Sequence, residues 1–143
     1  MRLSSRSAAI VGASAAVALA GCGGGSNFTS QANDICKKYQ AKVNAIPKPN
    51  DASGVGSYLA QSIPVLAEGI AKLKAVKPPS DKKSAYAEFL AGLDQQMAAI
   101  QQADSTAKAG DVKGAATFLQ QQSGLSQQIN AKADAAGLKE CSK

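Results

Sequence analysis

The 143-residue sequence contains no histidine, no tryptophan, only three cysteines, and no arginine beyond Arg6. Without imidazole there is no His-ligated haem, no His-containing zinc site and no Ser-His or Cys-His catalytic pair. The cysteines show no Cys-x-x-Cys spacing, which argues against a redox-active pair. Bidentate reading of guanine most often uses arginine, so its absence beyond position 6 argues against specific nucleic-acid recognition. No apolar run approaches the roughly 20 residues of a membrane-spanning helix. Strand alternation and Asn-Gly hairpin signals are also missing. The length fits one domain.

Charge is distributed unevenly. Arg2 and Arg6 stand at the start, and the rest of the chain carries 14 Lys against 10 acidic residues. That modest positive balance is ordinary for a small soluble domain. Residues 1–21 divide into the positive start, an apolar stretch from Ala8 to Ala20 broken by Gly12 and Ser14, and small residues before Cys22. This is the layout of a secretory signal, and the two non-adjacent arginines point to the general export route.

Leu19-Ala20-Gly21-Cys22 resembles the lipobox of bacterial lipoproteins, a leucine followed by small residues and the cysteine that becomes the first mature residue. The resemblance implies cleavage before Cys22 and a thioether-linked diacylglycerol on its sulfur. Two or three acyl chains hold a domain on a bilayer far more firmly than one. An ordinary signal peptide would instead leave Cys22 an incidental thiol. The resemblance further implies a place on the extracytoplasmic face of the cell membrane, with the lipid bilayer as partner through acylated Cys22. In a host with two membranes, Gly23 in place of Asp leans toward the outer one.

With Cys22 acylated, Cys36 and Cys141 remain in a compartment where disulfides persist, and a bridge between them is expected; two buried free thiols are the alternative. Cys22 and the glycine-rich segment to residue 28 form a flexible tether of about 15 Å, and residues 29–143 form the domain.

Within that domain, apolar residues recur at helical spacing in four runs. Phe28, Ala32, Ile35, Tyr39, Val43 and Ile46 end at Pro47. Leu59, Ile63, Leu66, Ile70, Leu73 and Val76 end at Pro78-Pro79, with Pro64 inside predicting a kink or a later start. Ser80 is a candidate cap for the run Tyr86, Phe89, Leu93, Met97, Ile100 and Ala107. Gly110-Asp111 stops that helix and caps the next, which carries Val112, Ala115, Leu119, Leu125, Ile129 and Ala133 and closes at Gly137. The fold predicted is all-α, an antiparallel four-helix bundle closed by the Cys36–Cys141 disulfide. With 26 bulky apolar residues against 22 Ala beyond Cys22, a thin core with close helix approach is expected rather than a wide cavity.

Chemistry-bearing residues are sparse. Glu68, Glu88, Asp94, Asp104 and Asp134 read as solvated helix surface, with Glu68 and Lys72 an i to i+4 pair. Lys37, Lys38 and Lys42 form a basic cluster on the first helix that could lean on anionic headgroups, although Asp34 weakens it. The Gln clusters, including Gln95-Gln96 and Gln120-Gln121-Gln122, read as neutral surface filler or as contacts to a glycan or partner. Tyr39, Tyr58 and Tyr86 fall on the inward stripes with hydroxyls expected at the edge. No catalytic residue, metal ligand or cofactor site is identified.

The mature part also resembles, loosely, small helical lipoproteins of high-GC Gram-positive bacteria, sharing an early Cys, a Pro-Pro break and the Gly137-Leu138-Lys139-Glu140-Cys141 ending. That resemblance implies no activity. The expected function is a membrane-anchored, non-enzymatic protein-interaction or accessory module, with an unknown envelope protein as candidate partner. The alternative is a binder of a small ligand or envelope polymer between helices.

Overall fold

The computed structural model describes residues 24–143, with side chains from Asn27 onward. The signal segment 1–21 and Cys22 lie outside the described residues. The fold is all-α: α1 (Gly24–Asn44), a single 3-10 turn (Ala52–Gly54), α2 (Val55–Ala75), α3 (Lys83–Lys108), α4 (Val112–Gln121) and α5 (Ser123–Ala135). Three differences from the sequence reading concern helix ends. Helix α1 already begins at Gly24, so the segment read as tether is helical from there. Ser80 does not cap α3; Lys82 precedes it and supplies no side-chain cap. The fourth run is two helices, because the chain leaves helical geometry at Gln122 (φ −80°, ψ 2°), just before the weak helix formers Ser123 and Gly124. Pro64, on the exposed side of α2, does not interrupt that helix.

The stop signals act as read. Gly110 (φ +92°) and Gly137 (φ +83°) take the left-handed conformation that side chains disfavour. Each is followed by an amide that closes back on the helix: Asp111 N–H to Thr106 C=O at 3.2 Å, and Leu138 N–H to Ala133 C=O at 2.8 Å. Asp111 then accepts from Gly114 N–H at 2.8 Å and caps α4.

Helix α3 packs against α2, α4 and α5, and α1 packs against α2. Among the described residues the α1 backbone comes within 8 Å, Cα to Cα, of no other α-helix. Its link to the α5 side is the chain after α5. There Cys36 and Cys141 form a disulfide, Glu140 N–H donates to Asn33 Oδ1 at 2.9 Å, and Gln40 Nε2 donates to Glu140 C=O at 2.9 Å.

The core is divided. One cluster surrounds the disulfide, with Phe28, Tyr86, Phe89, Ile129 and Leu138 buried; the Phe28 and Tyr86 rings meet edge to face at 4.9 Å. The Tyr86 hydroxyl, expected at an edge, is buried and donates to Leu73 C=O at 2.6 Å, and burial pushes its pKa up to about 12. The second cluster, at the other end, joins Val55, Leu59, Ala103, Ala107 and Ala115.

The disulfide spans a sequence separation of 105 residues. Closing a loop of about 100 residues stabilises a fold by about 4 to 5 kcal/mol in the chain-entropy model. The double variant Cys36→Ser, Cys141→Ser is expected to lose most of that in urea denaturation. A change under about 1 kcal/mol would show that α1 is held by packing instead.

Candidate functional site

Between the two clusters lies a cleft of about 340 Å³ bordered by α1, α2, α3, α5 and the chain end, with no residue of α4. The thin closed core expected from composition is therefore not found at this level. Nine aliphatic residues from the inward stripes line it; Leu73 and Ile129 are buried, and the other seven are Ile35, Val43, Leu66, Ile70, Leu93, Met97 and Ile100. All seven are only half-buried. The stripes were correctly phased, yet at this level they converge on space, since no Cα of α1 comes within 8 Å of α5.

Two glycines set the walls. A Cβ on Gly69 would stand 2.9 Å from Tyr39 Cγ, so the missing side chain lets α1 lie close on α2. A Cβ on Gly92 would stand 2.8 Å from Ile129 Cγ1, which likewise seats α5 on α3. The lining is asymmetric. Helix α2 contributes Leu66, Gly69, Ile70 and Leu73, whereas α1 adds Gln40 and Asn44, α5 adds Ser126 and Asn130, and α3 adds Gln96. Gln96 Nε2 donates to Ser126 Oγ at 3.3 Å. Asn44 and Asn130 make no side-chain hydrogen bond to another described residue. None of these five polar residues was singled out by sequence as a site. Only Gln96 carried a signal, as one of a Gln pair, and Ser126 and Asn130 were invisible beside the apolar stripe.

Charges beside the cleft are paired. Tyr39, 6% exposed, donates its hydroxyl to Glu68 Oε1 at 2.5 Å, and Lys42 Nζ reaches Glu68 Oε2 at 3.3 Å while lying 4.6 Å from the Tyr39 ring centroid. Glu68 thus pairs across helices with Lys42, not along its own helix with Lys72. The Tyr39 hydrogen bond and then Lys42 hold the Glu68 carboxyl below its ordinary pKa, and the same bond raises that of Tyr39. Lys143 Nζ lies 2.5 Å from Glu140 Oε1.

The remaining acids separate. Glu88 pairs with Lys132, Asp94 with Lys74 and Asp134 with Lys139, all at the surface. Asp104 departs from the solvated reading. It is buried, its Oδ2 meets Lys108 Nζ at 2.6 Å, and its Oδ1 has no hydrogen-bond partner. No Asp or Glu lines the cleft, and among the described residues no cluster of His, Cys, Asp and Glu has the makings of a metal site. Of the basic cluster, Lys42 is engaged by Glu68, whereas Lys37 and Lys38 are exposed. No described helix is long and apolar enough to cross a membrane.

A carboxylate with a depressed folded pKa contributes stability above its unfolded pKa and loses it as pH falls through the folded one. A phenol with a raised folded pKa keeps its contribution up to the ordinary tyrosine value of about 10 and loses it above. The Tyr39–Glu68 bond is therefore intact at neutral pH and weakened toward both extremes. In Tyr39→Phe the Glu68 carboxyl is expected to titrate at higher pH, measured by carbon-detected NMR; an unmoved midpoint would place the lowering on Lys42 alone. Comparison with known proteins finds no match: no family model, no curated protein and no solved structure corresponds to this chain.

Proposed function

We propose that this chain is an exported lipoprotein, anchored through acylated Cys22, that acts without catalysis by binding a small apolar ligand in the mid-bundle cleft. In this reading the fold is an antiparallel four-helix bundle whose last member is broken at Gln122. Of the two kinds of partner left open by the sequence, an envelope protein or a small ligand between helices, the cleft favours the second. The observation that carries it is the set of seven half-buried aliphatic side chains around one 340 Å³ opening. Ligand pockets commonly span about 300 to 1,000 Å³ and are lined mainly by apolar groups with a few polar ones. That no Asp or Glu side chain lines the cleft supports a binding role there over acid–base chemistry, which needs a carboxylate within hydrogen-bond reach of the substrate.

The anchor and the cleft are tested separately. Mass spectrometry of the native polypeptide is expected to find a diacylglyceryl Cys22 at a new amino terminus; an unmodified terminus upstream of it would remove the anchor. For the cleft, full-length protein in vesicles is irradiated with an apolar diazirine probe. Adducts are expected on Leu66, Leu93 and Met97, and Leu93→Trp, which fills the opening, should reduce labelling of Leu66 and Met97 about tenfold, or 1.4 kcal/mol of binding. Adducts spread evenly over the surface, or unaffected by the tryptophan in a variant that keeps its disulfide and helicity, would refute cleft binding.

A further inference from the structure

The composition of the cleft also restricts the chemistry of its occupant. We infer, resting on the cleft-binding reading above, that the ligand is a single-chain amphiphile with an uncharged head rich in hydroxyl or amide groups. At about 30 Å³ for each water-sized group, 340 Å³ corresponds to about eleven such groups, a size that suits one medium-length acyl chain. The apolar wall of α2 and the Leu93, Met97 and Ile100 side chains of α3 provide the surface for the tail.

The head follows from the polar groups. Gln40, Gln96, Ser126 and Asn130 are uncharged and half-buried, and they come from α1, α3 and α5, around the seam that the helices leave open. Asn130 retains both its amide donors and its carbonyl acceptor, since no described residue uses them. Half-buried amides of this kind suit a head that both donates and accepts hydrogen bonds.

An anionic head would need a cation free to meet it, because burying an unpaired charge is costly. The cleft offers none. Lys143, its one lysine, is paired with Glu140 at 2.5 Å, and Lys42, beside Tyr39, with Glu68 at 3.3 Å. A cationic head is disfavoured equally, as no Asp or Glu side chain is among the described residues that line the space. Chain and head together describe a ligand of the monoacylglycerol or alkyl-glycoside type.

The test uses the full acylated protein in vesicles and the diazirine probe, displaced by increasing mole fractions of a monoacylglycerol, the matching fatty acid or the matching lysophospholipid at neutral pH. The monoacylglycerol is expected to displace the probe from Leu93 and Met97 at about tenfold lower mole fraction than either charged competitor. Asn130→Leu and Gln96→Leu, tested singly, should erase that preference while keeping probe labelling, which reports the apolar cleft independently of the head. Equal or better displacement by the fatty acid or the lysophospholipid, with cleft labelling intact, overturns the head-group assignment alone. Failure of the probe to label the cleft at all overturns both this inference and the binding role beneath it.

Discussion

The bond between Cys36 and Cys141 is the constraint on which the architecture turns. Helix α1 approaches only α2 along its backbone, so its relation to the α5 side is fixed by the chain end, through that bond and hydrogen bonds from Gln40 to Glu140 and from Glu140 to Asn33. Both sulfurs are buried within a cluster of aromatic and aliphatic side chains. Closure there is covalent and local. It leaves the remainder of the α1–α5 seam free of any requirement to pack, and the cleft occupies that remainder.

The ion pairs follow the same division. Lys42–Glu68 joins α1 to α2, Lys74–Asp94 joins α2 to α3, and Lys132–Glu88 joins α3 to α5. Three of the packed seams have such a pair, and among the described residues none joins α3 to α4 or crosses from α1 to α5. Exposed pairs of this kind are worth about 0 to 1 kcal/mol apiece, so they set the relative register of neighbouring helices more than they hold them together. Tyr39 adds the one buried ring in this scheme, packed against the Gly69 backbone and bonded to Glu68.

Much of this was legible from residue spacing. The inward stripes, the stops at Gly110 and Gly137 and the disulfide all follow from local rules about periodicity, left-handed turns and paired cysteines. What escaped was non-local. Periodicity reports which face of a helix is apolar, not whether an opposing face arrives to cover it, so Ile35, Leu66 and Met97 read as core when they border space. The break at Gln122 was hidden because the run Leu119, Gln122, Leu125 and Ile129 keeps steps of three or four across it. Asp104 misled in the opposite sense: it read as solvated surface with the other mid-helix acids, whereas its own helix face is turned inward.

The open seam is also the arrangement that the residues beside it favour. Gln40 and Asn44 stand four apart on α1, and Ser126 and Asn130 stand four apart on α5, so each helix carries a row of uncharged polar groups bordering the same space. Drawing the helices together would bury those amides, and a buried polar network is stable only when every member finds its partners. Apolar residues at those positions would have met no such obstacle, and the two core clusters could then have merged across the middle. With polar residues there, dry closure leaves unsatisfied groups at about 1 to 3 kcal/mol each, which offsets part of what covering the aliphatic wall would contribute. A molecule that covers the wall and answers the amides at once would remove both penalties, and the proposed binding role rests on that pairing of an aliphatic wall with uncharged polar groups.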